Sequence, residues 1–413
     1  MEKTTNSYLN IEKESLCSET HPVIFHGKKS EYFLIWLVNL LLTIITLGVY
    51  SAWATVRTRR YFLGNTEING SRFEYHASAF RIFLTRLIIV VLLVLFIVSE
   101  YIHVGFKYAF LATLFLLTPY FLVRSWRFNA IMTSYRNVRF NFQTNYSKAY
   151  WIILLLPFLL IVASIVSVYG IGSVISIINT INQRNNGYSY QELKSFYFVM
   201  SIVQIAVMTV LLYLIASFRS KKIYEFFVNH LCFGKSNFSI KLKYSKFLNI
   251  YGIAFLIFLP FLIIAALGFY QFLSTEVFHA NYNVDKKSTS FVTSVLFLSY
   301  IDVYVGFFVS YAYIHVATRR LVINTMEFNN TLNFKSTMTF SSYLLLLITN
   351  ALLVIFTLGF GAPLSQIRYA NYMAENTKII GDLSLKNEIA HDDTHATALH
   401  DEVLKEFDLG LSI

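Results

Sequence analysis

Charge is scarce in this sequence. Only 14% of its 413 residues are Asp, Glu, Lys or Arg, against about 25% in an average soluble domain. Hydrophobic residues make up 56%, and the mean hydropathy is +0.54. That balance excludes an ordinary water-soluble fold. Cysteine is nearly absent. Cys17 and Cys232 lie far apart in polar stretches, which excludes a disulfide framework and any cysteine-based metal spacing. No apolar stretch precedes Ser15-Leu16-Cys17, so a lipoprotein signal is not supported. The first 30 residues are too polar for a cleavable signal peptide, and the first apolar run is expected to serve as an uncleaved anchor. Catalytic signatures are missing as well. There is no His-Glu-x-x-His, no Gly-x-Ser-x-Gly and no Gly-x-x-x-x-Gly-Lys-Ser/Thr, and no connection is long enough for a separate catalytic domain. The sequence therefore reads as a non-enzyme with no cofactor and no metal.

What is present is apolar length. Runs such as 151–168 and 248–269 approach the roughly 20 residues that a helix needs to cross a bilayer core. In lipid every backbone amide must be satisfied internally, so such runs are helices. They lack the alternating segments of about ten residues that build a porin-type barrel. Eight apolar segments are counted, at 32–53, 82–99, 108–123, 151–179, 196–218, 248–272, 291–317 and 341–361. Trp36, Trp53, Trp126 and Trp151 lie near segment ends, as an interfacial aromatic belt places them. The fold class expected is all-α: a polytopic transmembrane helical bundle with short strand-like cytoplasmic loops. A polar N-terminal segment (1–31), a transmembrane domain (32–364) and a polar tail (365–413) complete it.

The connections differ in charge. Those at 54–81, 124–150, 219–247 and 318–340 hold 20 Lys and Arg in total, and those at 100–107, 180–195 and 273–290 hold 5. Positive residues stay on the cytoplasmic side, so the four basic loops are expected there. The net charge of +11 then points to anionic lipid headgroups as partners, not to nucleic acid. Within these loops Arg72-Phe-Glu-Tyr75, Arg139-Phe-Asn-Phe142, Asn237–Tyr244 and Asn333–Phe340 alternate or nearly so, which reads as four short strands or hairpins. The other reading is that these aromatics and lysines simply mark the headgroup layer. The chain also echoes itself. Segment 39–70 matches 350–381 through Asn39/Asn350, Thr46-Leu-Gly48/Thr357-Leu-Gly359, Arg57/Arg368, Tyr61/Tyr372, Asn65-Thr66/Asn376-Thr377 and Gly70/Gly381. The Thr-Leu-Gly breaks leave open that the first and last segments are re-entrant, with both termini cytoplasmic.

Phe25-His-Gly27, the run from Asn39 to Tyr50, Trp53, Arg57-Thr-Arg-Arg-Tyr-Phe62 with Gly64-Asn-Thr66, and Phe73-Glu-Tyr75 together resemble the signature of a bacterial family of inner-membrane proteins, the YjgN-like family of unknown function. The resemblance implies a multi-pass inner-membrane protein over about residues 20–380 and carries no activity. The late copy departs from the pattern, with Gly361 for Tyr50, Leu364 for Trp53 and Ala370-Asn371 for Arg59-Arg60.

Asp302 is the sharpest candidate for chemistry. It is the only acidic residue deep inside an apolar segment, where a charge costs ~2.5–3.5 kcal/mol on insertion scales. Its helix face carries Ser299, Gly306, Ser310 and Tyr313. Such a carboxyl marks a proton, ion or substrate path, or else it simply hydrogen-bonds a neighbouring helix. Asn39, Thr43, Thr46, Asn350 and Thr357 form a second polar set, read either as the lining of a central site or as interhelical adhesion. Arg57, Arg59, Arg60, Arg124, Arg127, Arg319 and Arg320 follow the ends of apolar segments, as topology anchors facing lipid or as an anion site. His391, His395 and His400 in the tail read as solvated. The functional expectation is a transporter or channel-like protein with Asp302 in its polar interior. The alternative is a non-transporting structural or accessory protein that contacts lipids or partner proteins. A watered path to Asp302 would favour the first, and a dry, closed bundle the second.

Overall fold

Short alternating stretches decide the architecture. In Ser71-Arg-Phe73-Glu-Tyr75 and Val138-Arg-Phe140-Asn-Phe142 every second side chain shares one face, the periodicity of a strand. Asn69-Gly70 and Arg136-Asn137, ahead of them, have positive φ, the geometry of two-residue hairpin turns that match strand twist. The computed structural model describes residues 19–186, 190–279 and 286–383; the tail histidines, Cys17 and residues 280–285 lie outside them. These stretches belong to a closed antiparallel barrel of ten strands: β1 (Thr20–Phe25), β2 (Thr66–Ile68), β3 (Ser71–Tyr75), β4 (Thr133–Tyr135), β5 (Val138–Phe142), β6 (Leu231–Phe233), β7 (Ser236–Ser239), β8 (Glu327–Phe328), β9 (Leu332–Ser336) and β10 (Thr377–Ile380). Each pairs with its neighbours in chain order, and β1 pairs with β10 to close the ring.

The register puts one inward side chain of each strand opposite another. The facing pairs are Val23 and Ile68, Phe73 and Tyr135, Phe140 and Phe233, Phe238 and Phe328, and Phe334 and Ile379. All ten belong to one hydrophobic cluster, together with Val138, Leu332 and Leu383. Ring centroids lie 4.8 Å apart for Phe140–Phe233 and Phe238–Phe328, and 5.1 Å for Phe73–Tyr135. Such contacts contribute about 0.5–1.5 kcal/mol each beyond area burial. The interior is thus a packed aromatic core. Arg136 ties down the turn end. Its guanidinium donates to Ser71 Oγ (3.0 Å), Leu383 O (2.9 Å) and Asn69 O (3.3 Å), and it lies over the Tyr135 ring.

The helices are α1 (Lys29–Ile45), α2 (Ser51–Gly64), α3 (Ala79–Ile102), α4 (Val104–Ile131), α5 (Tyr146–Tyr150), then a π turn over Trp151–Leu155 into α6 (Leu156–Asn186), α7 (Tyr190–Asn229), α8 (Tyr244–His279), α9 (Lys286–Thr325), α10 (Phe340–Phe356) and α11 (Ala362–Glu375). With α5 and α6 taken as one interrupted helix, the chain order reads strand, helix, helix, strand five times over. The chain divides into two compact units. The barrel unit comprises the described residues up to 154, 223–242 and from 319 onward. In it α10 packs on α11, α11 on α1, and so on through α2, α3 and α4.

The second unit, 155–222 with 243–318, is helical. Here α8 meets α9 through small residues. Ser310 Oγ donates to Ala254 O at 3.0 Å, Gly306 lies against Phe258 and Phe261, and the Phe258 and Phe307 centroids are 4.6 Å apart. On its other side α8 meets α7, where Ser220 and Tyr251 share a 2.6 Å hydrogen bond and Tyr213 packs on Phe255 and Phe258. Small residues that let backbones approach are the usual device of helix association in lipid.

Two expectations are corrected. The fold is not an all-α bundle, because a complete barrel accompanies the helices. β7 and β9 stop at Ser239 and Ser336, short of the expected 244 and 340. The aromatics Phe73, Phe140, Phe238 and Phe334 pack against the barrel core. Six of the ten strands have no counterpart in the sequence reading. Five of them are two to four residues long, too brief for periodicity to register, and the sixth, β1, pairs only with β2 and β10, both far along the chain. Nor do eight spans appear among the described residues. Five helices among the described residues are long and apolar enough to cross a bilayer: Ala79–Tyr101, Val104–Ile131, Tyr146–Val166, Tyr244–Gly268 and Phe297–Thr325. Segments 32–53 and 341–361 are each broken at Thr-Leu-Gly. Leu47 and Gly48 have φ of 50° and 93°, and Leu358 and Gly359 have 50° and 95°. The chain therefore turns back through α2 and α11. Segment 196–218 lies within α7, part of whose side chains fall outside the described ones.

Phe233→Ala should lower stability by about 3–5 kcal/mol, the usual cost of emptying a buried phenylalanine site. Phe233 is 4% exposed and touches Phe140, Tyr135 and Phe328. Thermal melting of the purified protein in detergent measures this. An unchanged melting temperature would mean that the barrel interior is not packed as described.

Candidate functional site

The candidate arginines lie toward the ends of helices that lead into strands: Arg57, Arg59 and Arg60 on α2, Arg124 and Arg127 on α4, and Arg319 and Arg320 on α9. Arg57, Arg60, Arg127 and Arg320 are exposed. Arg124 donates to Tyr120 Oη at 2.8 Å and lies over that ring. Arg59 and Arg319 are drawn inward. Arg59 stands nine residues before the inward residue Ile68, and Arg319 nine before Phe328, so the two occupy matching places on α2 and α9. Arg59 has two acceptors on one Nη: it donates to Tyr75 Oη (2.9 Å) and Asn129 Oδ1 (2.6 Å) and faces the Tyr75 ring.

Arg319 has a different setting. One Nη donates to Thr377 Oγ1 at 3.0 Å, and Tyr224, Tyr343, Tyr369 and Tyr372 stand within electrostatic reach. Its Nε is closed off from water and has no acceptor. Ser336, which faces Thr377 across the β9–β10 ladder, is 2% exposed, and its hydroxyl also lacks a partner. No carboxylate lies within salt-bridge distance of Arg319 among the described residues. The sequence reading named Arg319 as a candidate, Thr377 only as the repeat partner of Thr66, and Ser336 not at all. Thr377 bonds the guanidinium, and the β9–β10 ladder sets Ser336 opposite Thr377.

Asp302 lies on α9 in the helical unit. Its stripe is occupied by packing, with Gly306 on Phe261 and Ser310 on Ala254 O. Asp302 Oδ2 is covered and has no hydrogen-bond partner among the described residues. A cleft of about 380 Å³ in this unit is lined by Tyr169, Gly172, Ser173, Ser176, Ile177 and Gln204, and does not include Asp302.

The Asn/Thr set is mostly local. Thr43 and Thr46 hydroxyls donate to carbonyls one turn back, and Thr46 Oγ1 accepts from Tyr50 N at 2.9 Å. Thr357 does the same with Leu353 O and Gly361 N. These threonines therefore fasten the Thr-Leu-Gly turns. Asn350 Nδ2 donates to Ser365 O at 3.3 Å, joining α10 to α11. Asn39 is buried on α1 with Oδ1 unpaired, and no hydrogen bond joins it to Asn350. The terminal helices meet instead through Tyr32 and Gln366, which are hydrogen-bonded, and through Trp36 against Phe360. Arg86 was not named from the sequence, and Arg368 only as the repeat partner of Arg57. Arg86 bonds Ser51 Oγ and Thr55 Oγ1, and Arg368 bonds Thr349 Oγ1. Arg368 ties α11 to its hairpin partner α10, while Arg86 ties α3 to α2 of the preceding hairpin. Among the described residues no group of three or more metal-ligating side chains forms.

Cys232 is buried on β6, and desolvation pushes its thiol above the ordinary range against a lowering backbone hydrogen bond. A raised pKa depletes thiolate, the reactive form, at any given pH. In a Cys17→Ser background, maleimide or iodoacetamide should leave Cys232 unmodified between pH 7 and 9 on either side of a membrane, and modify it once the chain is denatured. Rapid labelling of the folded protein would show that β6 opens.

The profile of the family described as bacterial protein of unknown function (DUF898) matches residues 20–405. The inner membrane protein YjgN of Salmonella typhimurium is 28% identical over 383 residues, covering 89% of this chain and 90% of the relative. YjgN of Escherichia coli K12 is 28% identical over 371 residues, covering 88% and 89%. No solved structure matches.

Proposed function

Because this chain belongs to the DUF898 family, multi-pass proteins of the bacterial inner membrane whose function is unknown, no activity comes to it by descent, and we propose that it is a non-transporting membrane protein that engages anionic lipid headgroups through a rigid cytoplasmic barrel. One observation carries this reading: the barrel around which the α1–α4 and α10–α11 helices are arranged is filled by ten inward apolar side chains and offers no aqueous route along its axis. Positive charge supports the sidedness. The loops that hold the hairpins are the basic ones, and Lys and Arg stay on the cytoplasmic side. At the surface of an anionic leaflet each such residue contributes about 1 kcal/mol of attraction.

Reconstitution tests it. Proteoliposomes should hold an imposed pH gradient or potassium diffusion potential as long as protein-free vesicles do, and the purified protein should retain phosphatidylglycerol over phosphatidylcholine. Lys235→Cys, exposed at the β6–β7 turn, should label only from the cytoplasmic side. Protein-dependent flux, or labelling from the periplasm, would defeat the proposal.

Transport remains the second reading, because Asp302 Oδ2 has no partner among the described residues. The two readings part on Asp302→Asn, which keeps shape and hydrogen bonding but removes the titration. On the non-transporting reading Asn restores any phenotype of a deletion strain in full, while Asp302→Leu lowers yield or stability. An Asn variant that inserts normally and restores nothing would move the function to Asp302.

A further inference from the structure

We infer that Arg319, Ser336 and Thr377 form a single saturable site for a phosphate-type oxyanion at the mouth of the barrel, an assignment that rests on the lipid-engaging reading above and gives it an address. The argument is a comparison of two matching places in one molecule. At Arg59 the neighbouring strand β3 ends in Tyr75, whose hydroxyl and ring take up the guanidinium, and Asn129 supplies a second acceptor. At Arg319 the strand β9 ends in Ser336, which has neither the reach nor the ring. Ser336 and Tyr75 hold equivalent positions, each two residues beyond an inward phenylalanine (Phe334 and Phe73) and each opposite a threonine (Thr377 and Thr133). With serine in place of the aromatic, Arg319 lacks the tyrosine acceptor and ring that Arg59 has; its Nε has no acceptor and Ser336 Oγ has no partner, both shielded from water.

Unmade hydrogen bonds of this kind each cost roughly 1–3 kcal/mol, more when the group is charged. A guanidinium with no carboxylate beside it, flanked by tyrosines and by the Ser336 and Thr377 hydroxyls, is complementary to an anion that accepts several hydrogen bonds. A phosphate oxyanion meets that description. Arg319 itself is only partly covered, so a ligand can approach from the side. It stands six residues before the end of Phe297–Thr325, where a bilayer places its headgroups. The phosphate could belong to a lipid headgroup or be free in solution.

The full-length protein in a neutral detergent is melted with short-chain phosphatidylglycerol, with phosphatidylcholine, or with inorganic phosphate. Wild type should show a saturable rise in melting temperature with phosphatidylglycerol and none with phosphatidylcholine. A matching rise with phosphate assigns the site to the free anion as well, and its absence assigns it to the lipid. Arg319→Gln and Ser336→Tyr should each raise the half-saturation concentration by roughly tenfold or more. Arg320→Gln, an exposed neighbour, should not. If Arg319→Gln fails to fold, Ser336→Tyr decides, since it keeps the arginine and supplies the ring that Tyr75 provides elsewhere. A wild type that responds to neither phosphate source overturns the site, as do two variants that respond like wild type. In the latter case retained preference for phosphatidylglycerol leaves the broader lipid reading standing on the exposed arginines alone.

Discussion

Closure of the barrel is the constraint on which the rest of the barrel unit depends. Its strands run from two residues in β8 to six in β1, and an isolated hairpin of that size is at best marginal in water. Pairing β1 with β10 removes both edges of the sheet, which is the only arrangement that leaves none exposed. It also recruits stretches more than 300 residues apart in sequence into one ladder. The five facing pairs of inward side chains then supply the apolar burial that the short ladders cannot. Within the barrel unit, the α1–α2, α3–α4 and α10–α11 hairpins each begin after one strand of this ring and end before another.

The charges near the barrel follow from the same geometry. A helix that leads into a strand brings its closing stretch against the ends of neighbouring strands, and its arginines bond what those strands present. Tyr75 satisfies Arg59; Thr377 satisfies Arg319 in part. The exposed arginines, Arg57, Arg60, Arg127 and Arg320, point the other way along the same turns. Among the described residues the same helical stretches thus hold hydrogen-bonded arginines, exposed arginines and, in Arg319, an incompletely satisfied one.

In the helical unit, packing accounts for most of what looked like a polar path. The small residues around Asp302 serve close approach of α8 and α9, with Ser310 bonded to a backbone carbonyl and Gly306 under a phenylalanine. Similarly, the threonines of the first and last apolar segments cap their own turns. A polar stripe in an apolar helix carries two meanings, lining and adhesion. The distinction lies in whether a neighbouring helix covers it.

The sequence by itself determined that the chain is a membrane protein of the inner-membrane kind. It also showed that 82–99, 108–123, 151–179, 248–272 and 291–317 include helices able to span, since apolar length and charge asymmetry are local properties that need no partner to be read. The alternation in four loops was visible for the same reason. The barrel itself was not. A two-residue strand such as Glu327–Phe328 has no period, and its state is set by hydrogen bonds to residues elsewhere in the chain. The break at Thr46-Leu47-Gly48 was legible as a motif, but that it reverses the chain, so that 32–53 is two helices, required the backbone geometry. Arg319 could be named from its place after an apolar run. That Ser336 and Thr377 stand beside it, leaving its Nε without an acceptor, was decided by strand register, because a shift of one residue would have turned both side chains to the opposite face of the sheet.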